Sequence, residues 1–260
     1  MDYSILDRPE VLKFLFYPRT DAAESMQSTF GVDVLIPVEA NTVVGAKFHL
    51  MDKTSPNILF FHGNGEIVSD YDDLGPLYNR MGINFLPVDY RGYGRSTGKP
   101  TVTAMLKDCH TILEFVTDWL KENGHSGPLI VMGRSLGSAS ALELAADHNS
   151  RIAGLIIESG FAYAQPLLEL MGVRVNVLGF AEQEGFRNID KIRLFNGPLL
   201  VIHGELDEII PFSDAEALYD NSAARRKTLK KIPNVGHNDL FSFGLKIYMA
   251  TVKAFLDGIK

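Results

Sequence analysis

The chain has 260 residues, 46% hydrophobic and 22% charged, the balance of a globular protein with a full core. A net charge of −7 argues against a nucleic-acid backbone as partner, because such a partner demands a basic surface. The single cysteine, Cys109, excludes a disulfide framework and a zinc-thiolate site.

The chain opens on MDYSILDRPEVLKFLFYPR, with Asp2 and Asp7 where a secretion signal carries positive charge. Its apolar run, 11–17, is broken by Lys13 and is expected to pack on the flank of the domain. No stretch elsewhere reaches the roughly 18 uninterrupted apolar residues of a spanning helix, so a soluble, cytoplasmic protein without an integral membrane segment is expected. VDVLIPV (32–38) and TVVGAKFHL (42–50) flank a polar turn and predict an N-terminal hairpin. NILFFH (57–62), INFLPVD (83–89), PLIVMG (128–133), IAGLIIE (152–158) and PLLVIHG (198–204) are continuous apolar runs, the pattern of strands buried on both faces of a parallel sheet.

Between them lie helical patterns. Leu106, Cys109, Leu113, Val116 and Leu120 recur at helical spacing, which puts Cys109 and His110 on or near a packed face. The Ala, Gly and Ser content of SLGSASALELAADH (135–148) suits a helix lying close against a sheet, and Leu245, Tyr248, Val252 and Phe255 mark a last helix. The basic stretch ARRKTLKK (224–231) reads as the exposed rim of a helix–strand junction. The expected fold is therefore α/β: a three-layer α/β/α sandwich with a mostly parallel sheet, forming one domain over 1–260. The segment 161–191 breaks the strand–helix rhythm and is expected to be a short cap or lid.

In such a sheet, ligands bind at the carboxyl ends of the strands. GRSLG (133–137) follows a predicted strand and opens a predicted helix, the setting in which Gly-x-Ser-x-Gly exposes a serine on a sharp turn. Ser135 is the expected nucleophile. The backbone amide of Leu136, at the helix N-terminus, points toward a developing oxyanion. A serine hydroxyl needs a base. Of seven histidines, His237 lies in the loop PNVGHND that reaches the sheet's carboxyl edge, whereas His62 and His203 read as turn-shaping residues. The orienting carboxylate is expected at Asp207, within His-Gly-x-x-Asp-x-x-x-Pro; Glu205 and Glu208 are neighbours of the same type and stay open.

Serine, acid, histidine is the triad order of α/β-hydrolases and differs from both other well-known serine protease orders. With HGNGE (62–66), DYRGYGRS (89–96), GRSLGS (133–138), HGELDEIIP (203–211) and VGHND (235–239) in family order, the chain resembles an α/β-hydrolase-fold serine hydrolase over nearly its whole length. It is most similar to the esterase/thioesterase-like subgroup, which includes depalmitoylase-like proteins. Several of those carry an N-terminal membrane anchor, and none is expected here. The resemblance implies that the second oxyanion donor is a backbone amide after the first parallel strand, Asn64 or else Gly65. It places DYRGYGRS beside the site, where the residues themselves suggest a loop held by an Asp89–Arg91 pair. Arg134 could support the turn or meet a carboxylate, and Glu158 could be a buried hydrogen-bonding group or a solvated strand end.

The function expected is cleavage of carboxylic ester or thioester bonds in a small acyl substrate through an acyl-enzyme, with no metal or cofactor. Peptidases of prolyl-oligopeptidase type share the fold and triad order but usually carry a propeller domain, for which 260 residues leave no room. A ligand-binding scaffold would typically lack a triad residue. Oligomeric state and acyl chain are not encoded in any pattern here.

Overall fold

The structure, a computed structural model, describes residues 2–21 and 31–259. The two β-rich stretches pair as an antiparallel hairpin, β1 (Val32–Glu39) and β2 (Thr42–Phe48). In β1, Val34, Ile36 and Val38 are buried and alternate with exposed residues, as befits a strand with one solvated face. The apolar runs become β3 (Asn57–Phe61), β4 (Asn84–Val88), β5 (Leu129–Arg134), β6 (Gly154–Glu158) and β7 (Leu199–Gly204). The basic stretch ends in β8 (Lys227–Ile232). One eight-stranded sheet results, in the order β1-β2-β4-β3-β5-β6-β7-β8, parallel from β4 to β8. β8 lies at its edge, where Lys227, Lys230 and Lys231 discourage pairing with a further strand.

The continuous apolar runs follow from two cores. Leu59, Phe61, Val131, Ile157 and Val201 face one core, while Ile58, Phe60, Met132, Ile156 and Leu200 face the other. The first is covered by α1 (Pro9–Leu15), α3 (Val102–Glu122), α4 (Gly137–Asp147) and α8 (Phe212–Asn221). The second is covered by α2 (Gly75–Arg80) and α10 (Leu245–Asp257), with α9 (Leu240–Phe243) just before the latter. Val11 and Leu15 of α1 are buried, so the early apolar run packs on the flank as expected. In α3 the stripe from Leu106 to Leu120 is buried, Cys109 included, while His110 is half-buried. No helix among the described residues is long and apolar enough to cross a membrane.

The segment 161–191 holds three short helices, α5 (Ala164–Leu170), α6 (Val175–Leu178) and α7 (Asn188–Ile192). Leu168 and Val175 are buried and Leu167 and Met171 partly so, whereas Leu170 and Val177 project outward. The carboxyl ends of β3, β5, β7 and β8 lie on one edge of the sheet and carry the loops that hold the candidate residues Asn64, Ser135, Asp207 and His237.

Candidate active site

β5 ends at Arg134 and α4 begins at Gly137, so the chain reverses across two residues. Ser135 takes φ of 49°, a left-handed conformation that costs a non-glycine residue about 1–3 kcal/mol. Its surroundings hold it there. The Ser135 amide donates to the Glu158 carbonyl at 2.9 Å, and the Ser138 hydroxyl donates to the Ser135 carbonyl at 2.6 Å. The flanking glycines are needed for close approach. A Cβ on Gly133 would stand 2.3 Å from the Gly137 oxygen, and one on Gly137 would stand 2.1 Å from the Phe61 oxygen.

The structure brings Ser135, His237 and Asp207 together. His237 Nε2 is 3.0 Å from Ser135 Oγ, and Nδ1 is 2.7 Å from Asp207 Oδ2. This suits the tautomer in which Nδ1–H donates to the carboxylate and Nε2 accepts the serine proton. Asp207 is fixed from its other side, because Oδ1 accepts the amides of Ile209 and Ile210 at 3.0 and 2.8 Å. Burial pushes Asp207 up, but hydrogen bonds from His203 and His237 outweigh it and hold the carboxyl below the ordinary carboxylate range. The two open alternatives do not meet the imidazole ring. Glu205 accepts from the Asn234 amide, and Glu208 accepts from the His237 amide.

His203 does more than shape a turn. Its Nε2 lies 2.7 Å from the Ile210 carbonyl and 3.2 Å from Asp207 Oδ2, so the same carboxylate oxygen meets two histidines. Glu158 is fully buried and is not a solvated strand end. Arg134 meets two carboxylates, Glu66 and Glu158, each at 2.8 Å, and donates to the His237 carbonyl at 3.0 Å. Glu66 lies within HGNGE, and no pattern singled it out.

Asn64 lies in the loop after β3. Its side-chain oxygen accepts from the Tyr17 amide and from the Tyr93 hydroxyl, both at 2.7 Å, which anchors the side chain. Leu136 immediately precedes α4. The expected Asp89–Arg91 pair does not form. Asp89 meets His62 Nε2 at 3.2 Å and accepts from the Val68 amide, whereas Arg91 crosses to Asp108 on α3 and to Glu39. The neighbours diverge because Asp89 closes onto β3's end while Arg91 already belongs to the loop outside it. Burial pulls the His62 ring down, but Asp89 outweighs it and raises its pKa.

Among the described residues one group could hold a metal ion: His110, Glu143 and Asp147 have ligand atoms within 4.8 Å of one another. It lies on α3 and the later turns of α4, away from the Ser135 end. Glu143 is already balanced by Lys191 at 2.6 Å.

Residues 52–183 match the family described as serine aminopeptidase, S33. Human alpha/beta hydrolase domain-containing protein 17B is 33% identical over 219 residues, covering 78% of this chain and 68% of that protein. The chain belongs to the α/β-hydrolase family. This hydrolase is also 27% identical to the alpha/beta hydrolase domain-containing protein WAV2 of Arabidopsis thaliana, over 78% of the chain and 70% of that protein. Among solved structures, the Pyrococcus furiosus esterase Pf2001 superposes with a TM-score of 0.74 at 19% identity, covering 93% of this chain and 98% of that one. A soluble variant of the monoglyceride lipase from Saccharomyces cerevisiae reaches 0.70 at 20% identity, over 89% and 95%. These likenesses place the fold among the α/β-hydrolases.

Proposed function

We propose that this hydrolase cleaves carboxylic ester or thioester bonds through an acyl-enzyme on Ser135. The observation that carries the reading is the unbroken line Asp207–His237–Ser135, with contacts of 2.7 and 3.0 Å at a strained turn. His237 takes the hydroxyl proton as Ser135 Oγ attacks the acyl carbonyl, and Asp207 steadies the imidazolium that forms. The backbone amides of Leu136 and Asn64 receive the oxyanion. His237 returns the proton to the leaving alcohol or thiol; it then activates water, which frees the acid. The segment 161–191 serves as a cap within a single domain and shapes the pocket for a small acyl substrate. No cofactor takes part, and the cytoplasm is the expected setting.

The family's description favours a second reading, an aminopeptidase. Such an enzyme needs a carboxylate for the substrate's ammonium group. Most of the carboxylates around the triad are engaged: Glu66 and Glu158 with Arg134, Glu208 with the His237 amide, Asp214 with the Ala162 amide and Glu182 with the Ala164 amide, which leaves the exposed Asp239 as the group such an enzyme would have to use. This favours an uncharged acyl group. Ser135→Ala is expected to lower turnover of a p-nitrophenyl short-chain ester by at least about 1,000-fold with the fold intact, and to abolish fluorophosphonate labelling. Activity within tenfold of the wild type in that variant would end the serine-nucleophile reading. A chain-length series of esters, thioesters and aminoacyl amides separates esterase from aminopeptidase.

A further inference from the structure

Arg134 is no member of the triad, yet its side chain is only 4% exposed and donates directly into the loop of His237. Nε donates to Glu66 Oε1, one terminal nitrogen to Glu158 Oε1, and the other to the His237 carbonyl. Glu66 carries the connection onward, since its Oε2 accepts from the Gly63 amide and the Tyr71 hydroxyl, both at 2.6 Å. Glu158 carries it in another direction. Its Oε2 accepts from the Tyr248 hydroxyl at 2.9 Å, and its backbone carbonyl holds the Ser135 amide. One planar guanidinium thus joins the loop holding Asn64, the serine turn and the histidine loop.

Stability alone does not account for this arrangement. A buried cation with two carboxylates is commonly matched or bettered by well-packed apolar residues. What apolar packing cannot do is hold a carbonyl and two carboxylates at fixed distances and directions from one rigid fork. We propose that Arg134 is a positioning residue that sets the mutual placement of Ser135, His237 and the amide loop after β3. The proposal rests on the reading of Ser135 and His237 given above.

Glu66 depends on Arg134 for its charge. Burial, the strongest influence on its carboxyl, pushes it up, and Arg134 outweighs that to hold it down at about 2. The other groups facing Glu66 are Tyr71 and His62, with Asp70 and Asp73 lining the same cleft and Glu158 across the guanidinium. Of these only His62 carries positive charge when protonated, and its pull on Glu66 is weaker than that of Arg134. Without Arg134 the carboxyl titrates upward, and its protonation weakens the hold on the Gly63 amide. Activity should then depend on a second ionisation.

The test compares the wild type with R134K, R134A, E66Q and R134A/E66Q. It reads kcat and KM for a p-nitrophenyl ester across pH 5 to 9, thermal midpoint and fluorophosphonate labelling. R134A should lose about 100-fold in kcat with little change in KM, as expected for displaced reacting groups. R134K should lose about tenfold, because an ammonium cannot reproduce the fork. The R134A profile should gain an ionisation on its acid limb that is absent from R134A/E66Q, and added guanidinium ion should restore part of the rate. R134K and E66Q keep the test alive if R134A does not fold. R134A or R134K at wild-type kcat would overturn the proposal. So would a loss of rate in R134A that neither the second ionisation nor guanidinium accompanies. A wild-type protein that neither turns over ester nor takes the fluorophosphonate would end the Ser135 reading and this one together. Normal labelling with an indifferent Arg134 ends this one alone.

Discussion

Two cations are buried at either end of α4, and they do different work. Arg134 stands just before its amino end; Lys191, with no solvent exposure, meets Glu143 in its later turns. Each holds a carboxylate down, although burial leaves Lys191 itself below the ordinary lysine range while, against burial, Glu66 and Glu158 keep Arg134 above its own. Burial pushes Glu66 and Glu143 up, and both are nonetheless held at about 2, Glu66 by Arg134 and Glu143 by His110 and Lys191. The contrast lies in what each pair joins. Lys191 ties α7 to α4, and Glu143 reaches on to the Tyr3 hydroxyl at 3.1 Å, so the pair binds framework to framework. Arg134 joins the loop of Asn64 to the loop of His237, and reaches the turn of Ser135 through Glu158, whose carbonyl holds the Ser135 amide. Buried charge is therefore weak evidence of function until the groups it positions are known.

The largest effect expected from the framework pair is on stability. Lys191→Met strips Glu143 of its buried partner and should cost about 3 kcal/mol in urea unfolding. The folded enzyme should keep its kcat. A tenfold fall in kcat in fully folded Lys191→Met would erase the distinction between the two cations.

The acid side of the stability curve sharpens the same contrast. A carboxyl whose folded pKa lies below its ordinary value lends stability above that value and loses it as pH falls toward the folded pKa. Glu143 and Glu66 both behave so, with an ordinary value of 4.5 and a folded value of about 2. Stability of the wild type should therefore drop as pH falls through that interval. Glu143→Gln mimics the protonated carboxyl. It should be less stable than the wild type by about 2 kcal/mol at pH 7, the scale of a charged hydrogen bond, and converge on it near pH 2. Parallel curves across the whole range would mean that Glu143 titrates normally.

The sheet was legible because strands buried on two faces leave unbroken apolar runs, and β3 to β7 do so. The turn at Ser135 was legible because strand, glycines and small-residue helix are contiguous. Arg134's role was not. Its partners lie 68, 24 and 103 residues away, on three different elements, and no local spacing encodes such a meeting. Asp89 and Arg91 show the converse error. Proximity in sequence suggested a pair, but one side chain turns to His62 and the other to α3. Nor does any local pattern encode the reach of His203 to Asp207, which depends on how the loop after β7 folds back.

The smallest expected effect concerns Ser159, which follows β6 as Ser135 follows β5. Its φ is 46°, almost that of Ser135, and its hydroxyl is buried without a hydrogen-bond partner. Strain at Ser135 coincides with a hydroxyl aimed at a base; strain at Ser159 coincides with a hydroxyl aimed at nothing polar. Ser159→Gly removes both the left-handed penalty and the unpaired group, while the amide at 159 keeps its bond to the Ile202 carbonyl at 2.9 Å. Glycine's greater freedom in the unfolded chain offsets part of that gain. A net stabilisation of about 1 kcal/mol is expected by thermal unfolding, with kcat unchanged. A fall in kcat would instead place the Ser159 hydroxyl in the reaction. Strain on this sheet edge would then mark function at both serines, whereas the proposed reaction uses Ser135 alone.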